Sequence, residues 1–216
     1  MQDLFDLLKA HADSETAVGM SAYQRNQFPF LGIKTPVRRE LTKPFIKAAK
    51  QSGVIDWDFV QDAWEQDARE YQYVALDMLK AQMDLLGPDD LARFQALAMR
   101  KSWWDTVDNM AHEVGHIVVT YPETKATMLA WGRHDDFWVR RLAILHQLFL
   151  KDQTDTTLMT EILTANFGSS EFFINKAIGW ALRQYSKTNP DWVREFIATH
   201  ESEMTPLSIR EGSKYV

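Results

Sequence analysis

Trp138-Val139-Arg140-Arg141-Leu142-Ala143-Ile144 is the stretch that decides the fold. Read on through Leu145 and Leu148, its apolar residues return three and four positions apart, the spacing of one face of an α-helix. The same pattern can be laid in phase with Glu70-Tyr71-Gln72-Tyr73-Val74-Ala75-Leu76, Trp104-Asp105-Thr106-Val107-Asp108 and Phe173-Ile174-Asn175-Lys176-Ala177-Ile178. With Gln72, Thr106, Arg140 and Asn175 as the reference position, the steps are 34, 34 and 35 residues. A period of this length in a helical chain implies stacked hairpins, each unable to bury its apolar face alone.

Working outward, Leu4-Leu7-Leu8, Val74-Leu76-Met78-Leu79 and Ile178-Ala181-Leu182-Tyr185 keep the helical spacing. The breaks between such runs are short and carry helix punctuation: Thr35-Pro36, Gly87-Pro88-Asp89, Tyr121-Pro122-Glu123, Thr188-Asn189-Pro190-Asp191 and Thr205-Pro206. Alternating strand patterns and Gly-Ser linkers are missing. The expectation is therefore an all-α chain, an α-solenoid of roughly a dozen helices of about 10–18 residues in roughly six hairpins. The second helix of each hairpin would line a concave surface, bringing Trp104, Asp108, Arg141, Lys176 and Trp180 together from three neighbouring repeats.

The chain has 216 residues, 45% hydrophobic and 25% charged, which suits one globular domain spanning 1–216. It contains no cysteine, so disulfides and thiolate metal sites are excluded, and a reducing cytoplasm is the natural setting. Met1-Gln2-Asp3-Leu4-Phe5-Asp6 has no basic segment of the kind that opens a signal peptide, and no apolar run reaches the length of a membrane span. The net charge of −6 counts against simple non-specific DNA binding. It does not exclude a local cationic groove, because the charges are segregated. Asp56, Asp58, Asp62, Glu65, Asp67 and Glu70 crowd one stretch, while Arg38/Arg39, Arg140/Arg141 and Arg183/Lys187 lie elsewhere.

Ser102-Trp103-Trp104-Asp105-Thr106-Val107-Asp108 carries the chemistry. On a helix, Trp104 and Asp108 stand one turn apart on one face. An electron-rich ring face and a carboxylate both attract positive charge, so together they suit stabilisation of a developing cation. Read without that chemistry, aromatic residues at helical spacing are core, and a lone Asp caps or is solvated. Trp57, Trp64, Trp131, Trp138 and Trp192 are assigned to packing between repeats.

The chain resembles the DNA alkylation repair glycosylases of the AlkD type, built of HEAT-like repeats. The resemblance runs through Met20-Ser21-Ala22-Tyr23-Gln24-Arg25-Asn26, through residues 30–39, through Ser102 to Asp108 and through Arg141-Leu142-Ala143-Ile144-Leu145. It continues in Glu171-Phe172-Phe173-Ile174-Asn175-Lys176-Ala177-Ile178-Gly179-Trp180 and in Pro206-Leu207-Ser208-Ile209-Arg210-Glu211. It implies a HEAT-like repeat superhelix with a concave DNA-binding face. Trp104, Asp108 and Trp180 would be the catalytic trio, Arg141 the associated arginine, and Tyr23 an aromatic that the N-terminal helices press against the duplex. The implied activity is release of cationic N3- or N7-alkylated purines, 3-methyladenine and 7-methylguanine, from double-stranded DNA without flipping the nucleotide. Thr35, Arg38, Arg39, Lys176 and Arg183 join Tyr23 and Arg141 as the expected DNA-binding set. A monomer without cofactor or metal, cytoplasmic and associated with the nucleoid, completes the expectation.

Thr35-Pro36-Val37-Arg38-Arg39 reads locally as an N-cap, a proline in the first turn and solvent-facing arginines, a ready phosphate site. His112-Glu113-Val114-Gly115-His116 matches the H-E-x-x-H pattern of zinc hydrolases. No G-x-x-H continuation follows, and the same helix already carries Trp104 and Asp108, so no metal is expected there. Two other classes share the fold: a non-catalytic protein that binds distorted or branched DNA, and a helical scaffold for protein partners. The three catalytic-position residues separate the glycosylase from the first, and salt-sensitive DNA binding separates both from the second.

Overall fold

A computed structural model describes residues 2–216. Among them are thirteen α-helices: α1 (Gln2–Ala10), α2 (Ser14–Tyr23), α3 (Thr35–Ser52), α4 (Trp57–Glu65), α5 (Arg69–Ala81), α6 (Asp90–Ala98) and α7 (Trp104–Thr120), then α8 (Lys125–Trp131), α9 (Phe137–Leu145), α10 (Thr156–Thr164), α11 (Phe172–Tyr185), α12 (Pro190–His200) and α13 (Pro206–Gly212). No strand occurs among the described residues. None of these helices is long and apolar enough to cross a membrane.

The repeat is visible in the helix starts. Thr35, Arg69, Trp104, Phe137, Phe172 and Pro206 open α3, α5, α7, α9, α11 and α13 at intervals of 33–35 residues. A shorter helix precedes each of the first five, and the 11-residue α12 precedes the 7-residue α13, in keeping with an α-solenoid of hairpins. The helices run from 7 to 18 residues, so some are shorter than the sequence spacing implies. Side-chain caps set several of their starts. Asp56, Asp136, Asp155, Asn189 and Thr205 accept the backbone N–H of Phe59, Trp138, Leu158, Trp192 and Ser208. Thr35 differs from its expected role: Lys34 is the N-cap, without a side-chain bond, and Thr35 is the first helical residue.

The four phased positions share one task. Gln72 Nε2 donates to the carbonyls of Ala63 and Gln66, at 2.6 and 2.9 Å. Arg140 donates to those of His134 and Asp135, at 2.6 and 3.1 Å, and Asn175 to those of Ser169 and Glu171, at 2.7 and 3.1 Å. Thr106 Oγ1 donates to the Trp103 carbonyl at 3.3 Å. Each side chain in the first turn of a second helix satisfies carbonyls in or just before the turn that enters it. The Trp103 and Glu171 carbonyls also accept the backbone N–H groups of Val107 and Asn175, so there the side chain adds a second donor.

The chain divides into two compact units, one ending at Leu86 and the other spanning Gly87–Val216. In the first, α5 packs against α3 and α4, and α1 against α3. Its core holds Leu4, Leu8, Phe59, Trp64, Val74 and Leu79. Buried Glu70 accepts the backbone N–H groups of Leu31, Gly32 and Ile33 at 2.9–3.0 Å, which fixes the loop leading into α3. In the second unit α9 packs between α7 and α11, and α11 packs against α13. Trp131 and Trp138 are buried there, with Met110, Ile117, Leu142, Leu145 and Ile178.

His146, at the end of α9, is a fully buried titratable group. Burial pushes its imidazole down to about 4, and Nδ1 lies 2.6 Å from the Ala143 carbonyl. The folded state therefore holds His146 neutral, while the unfolded chain takes up a proton below about 6.5. Its contribution is fully present above 6.5 and is lost as pH falls through 4. Urea unfolding should show stability falling by ~1.4 kcal/mol per pH unit from this group over that window. His146→Asn should flatten the dependence.

Candidate active site

The site is built on α7, α9 and α11 of the second unit. Arg141, 3% exposed, reaches from α9 to both neighbours. Its Nε and one terminal nitrogen donate to the two carboxylate oxygens of Asp108 on α7, at 2.7 and 2.8 Å. The other terminal nitrogen donates to the backbone carbonyl of Phe173 in the first turn of α11. A planar guanidinium suits this use because its donors point in fixed directions. Burial pushes the Asp108 carboxyl above its ordinary range; Arg141 opposes this and nearby Asp105 adds to it.

An aromatic cluster reaches the pair through Phe173. Trp103 meets Phe173 edge-on at 5.1 Å and Trp138 at 5.9 Å, and Trp138 lies 4.8 Å from Phe173. The Arg141 guanidinium stands 5.8 Å from the Phe173 ring. The pair is itself largely buried, with side chains 4% and 11% exposed, which strengthens its field. Trp103, Phe173 and the Phe173 carbonyl were not singled out from sequence. The doubled tryptophan was the available signal for the first, whereas a backbone acceptor leaves none.

Trp104 is the first residue of α7, half-buried and one turn from Asp108. On α11, Phe173, Lys176, Trp180 and Arg183 fall at i, i+3, i+7 and i+10, one face of the helix, and all are half-buried. Arg141 thus ties the Asp108 turn to the α11 face that bears Trp180. Lys176 and Arg183 are ion-paired to Glu211 of α13, at 3.0 and 2.9 Å.

The remaining expected residues belong to the first unit. Tyr23 closes α2 with 73% of its surface exposed. Thr35 and Arg39 are exposed on the first turns of α3. Arg38 is not solvent-facing: it is 5% exposed, pairs with Asp77 at 3.1 Å and lies 4.8 Å from the Tyr73 ring. Its partner stands 39 residues away, so only the fold exposes this use.

The H-E-x-x-H residues lie in the body of α7. His112 meets Phe149 edge-on at 5.6 Å, and Glu113 is buried. A Cβ on Gly115 would stand 2.1 Å from the His146 carbonyl oxygen, so only glycine lets α9 approach α7 this closely. Asp108 and Gly115 are seven residues apart and share the α9-facing side of α7. The close approach at one end supports the ion pair at the other. Among the described residues no three His, Asp or Glu side chains gather as metal ligands.

The two arginines of α3 should separate cleanly in urea unfolding. Arg38→Met leaves Asp77 without its buried partner and should cost about 3 kcal/mol. Arg39→Met should change stability by less than ~0.5 kcal/mol, as expected of an exposed position. Equal losses would contradict the burial and pairing assigned to Arg38.

The family model described as "DNA alkylation repair enzyme" matches residues 5–216. A search of curated proteins returned no match. Among solved structures, one described as "Predicted DNA alkylation repair enzyme from Enterococcus faecalis" is 37% identical, over 95% of this chain and 96% of that one, with a TM-score of 0.86. With the family match covering nearly its whole length, the chain belongs to the DNA alkylation repair enzyme family.

Proposed function

We propose that the protein is a monofunctional DNA glycosylase that hydrolyses the N-glycosidic bond of cationic N3- or N7-alkylated purines in duplex DNA. The observation that carries this reading is Asp108, a largely desolvated carboxylate gripped at both oxygens by Arg141, one helical turn from the Trp104 ring. The reading includes action as a monomer in the cytoplasm, on nucleoid DNA.

The chemistry fits the substrate class. Methylation of a purine ring nitrogen makes the base a cation, so the C1′–N bond breaks with its electron pair passing to the base, which departs neutral. No strong general acid is needed. The difficulty shifts to the deoxyribose, which acquires oxocarbenium character, as in glycoside hydrolysis. Asp108 stabilises that charge and orients a water for attack at C1′; the water's proton is lost and an abasic site remains. Trp104 and Trp180 hold the sugar by C–H and cation–π contacts worth roughly 0.5–2 kcal/mol each. Arg141 keeps the carboxylate aimed. Tyr23, Thr35, Arg39, Lys176 and Arg183 contact the duplex, and Arg38 supports α3 through Asp77.

The reading includes catalysis without nucleotide flipping. Trp104, Asp108 and Trp180 occupy half-buried positions on helix faces.

Release of 7-methylguanine from methylated duplex DNA, measured by mass spectrometry under single-turnover conditions, tests the reading. Base release is expected from the protein as it stands, and Asp108→Asn should reduce it on the order of a hundredfold or more. Trp104→Ala and Trp180→Ala should each slow release with smaller losses of stability than the 3–5 kcal/mol usual for a buried Trp. Because burial raises the Asp108 carboxyl, protonation should remove activity on acidification at a pH above the ordinary carboxylate range near 3.8. Salt-sensitive duplex binding without base release would instead indicate a protein that binds DNA and does not cut the glycosidic bond.

A further inference from the structure

Glu211 sits at the centre of a cluster of three cations in the second unit. Its Oε1 pairs with Lys176 Nζ at 3.0 Å, and its Oε2 with both Arg183 and Lys214 at 2.9 Å. Only 5% of the residue is exposed, whereas the side chains of Lys176 and Lys214 are 37% and 44% exposed. A carboxylate that satisfies three cations at once is held well below its ordinary range, at about 2, chiefly by the hydrogen bonds from Lys214 and Lys176.

The placement of the partners matters more than their number. Lys176 is four residues before Trp180, and Arg183 three residues after it. One carboxylate therefore holds the helical turns on both sides of Trp180. Gly179 makes this possible: a Cβ there would stand 2.5 Å from the Cβ of Glu211 and 2.9 Å from the Ser208 carbonyl. Ser208 adds a second tie by donating to the Asn175 carbonyl at 2.9 Å, so α13 is seated on α11 directly beside Trp180.

We propose that Glu211 is a positioning residue, bracketing Trp180 between Lys176 and Arg183 so that the ring and both cations meet the DNA in fixed register. The cluster of three cations and one carboxylate keeps a net charge of +2, so it still attracts phosphate. Unpaired, Lys176 and Arg183 would be long flexible side chains, costly to order when DNA binds. Paired through one buried carboxylate, they are ordered in advance. This inference rests on the glycosylase reading above and adds a residue that need not touch the substrate.

The sign of the electrostatic change makes the test discriminating. Glu211→Gln removes a negative charge from the DNA-facing cluster, so simple attraction predicts binding as tight as before or tighter. Positioning predicts slower chemistry all the same. Single-turnover release of 7-methylguanine at saturating protein should fall on the order of tenfold in Glu211→Gln. Anisotropy with an undamaged duplex of the same sequence should show affinity unchanged or increased. Glu211→Asp keeps the charge but is too short to span Lys176 and Arg183; it should also slow release, and it decides the matter if the Gln variant does not fold. Lys125→Ala, which breaks a comparable pair with Asp155, should leave the rate unchanged. A wild-type saturated rate in Glu211→Gln, or a slowing accounted for wholly by weaker binding, would overturn the proposal. Absence of base release from the unaltered protein would overturn the glycosylase reading, and the proposal with it.

Discussion

The second unit depends on one buried ion pair. Arg141 reaches across from the middle helix of three, takes both oxygens of Asp108 on one side and donates to the Phe173 carbonyl on the other. Burying two charges beside the Phe173 ring is unfavourable in itself, because desolvation rivals the attraction gained. Bidentate geometry and a third acceptor offset that cost. The arrangement is better explained by what it orients than by net stability: a carboxylate that cannot turn away, on the face that carries Trp104.

Around that pair, the repeat supplies a second kind of order. Gln72, Thr106, Arg140 and Asn175 each donate to carbonyls in or just before the turn that enters their helix. Arg140 and Arg141 are adjacent, yet one closes a turn and the other reaches the site. A helix places neighbours about 100° apart, so consecutive arginines serve different faces. The short turns then fix the angle at which each helix leaves its hairpin, and so where the Phe172–Tyr185 helix places Trp180.

Much of this was legible in the sequence, and the reason is physical. Stacked hairpins rely on local, periodic contacts, so the 34-residue phase of Gln72, Thr106 and Arg140 is written directly in the chain. That Trp104 and Asp108 share a helix face was legible for the same reason, since four residues on a helix define a face. What remained hidden depends on partners distant in sequence. Arg38 reads as a solvent-facing phosphate ligand until Asp77 is found beside it, and Glu211 reads as one more acidic residue until three cations gather on it. Within the H-E-x-x-H match, the residue whose identity counts for packing is Gly115, which sequence pattern treats as filler. Thr35 fell one position from its expected cap because Lys34 takes that place.

The central claim is that Asp108 and Arg141 act as one unit, in folding and in catalysis. A double-mutant cycle of Asp108→Asn and Arg141→Gln, read in both urea unfolding and single-turnover base release, tests it most directly. The account predicts strong coupling, on the order of 1.5–3 kcal/mol in stability. It also predicts a double mutant whose residual rate is close to that of the worse single mutant. Additive effects in both measurements would mean that the two residues act independently, and would contradict the account.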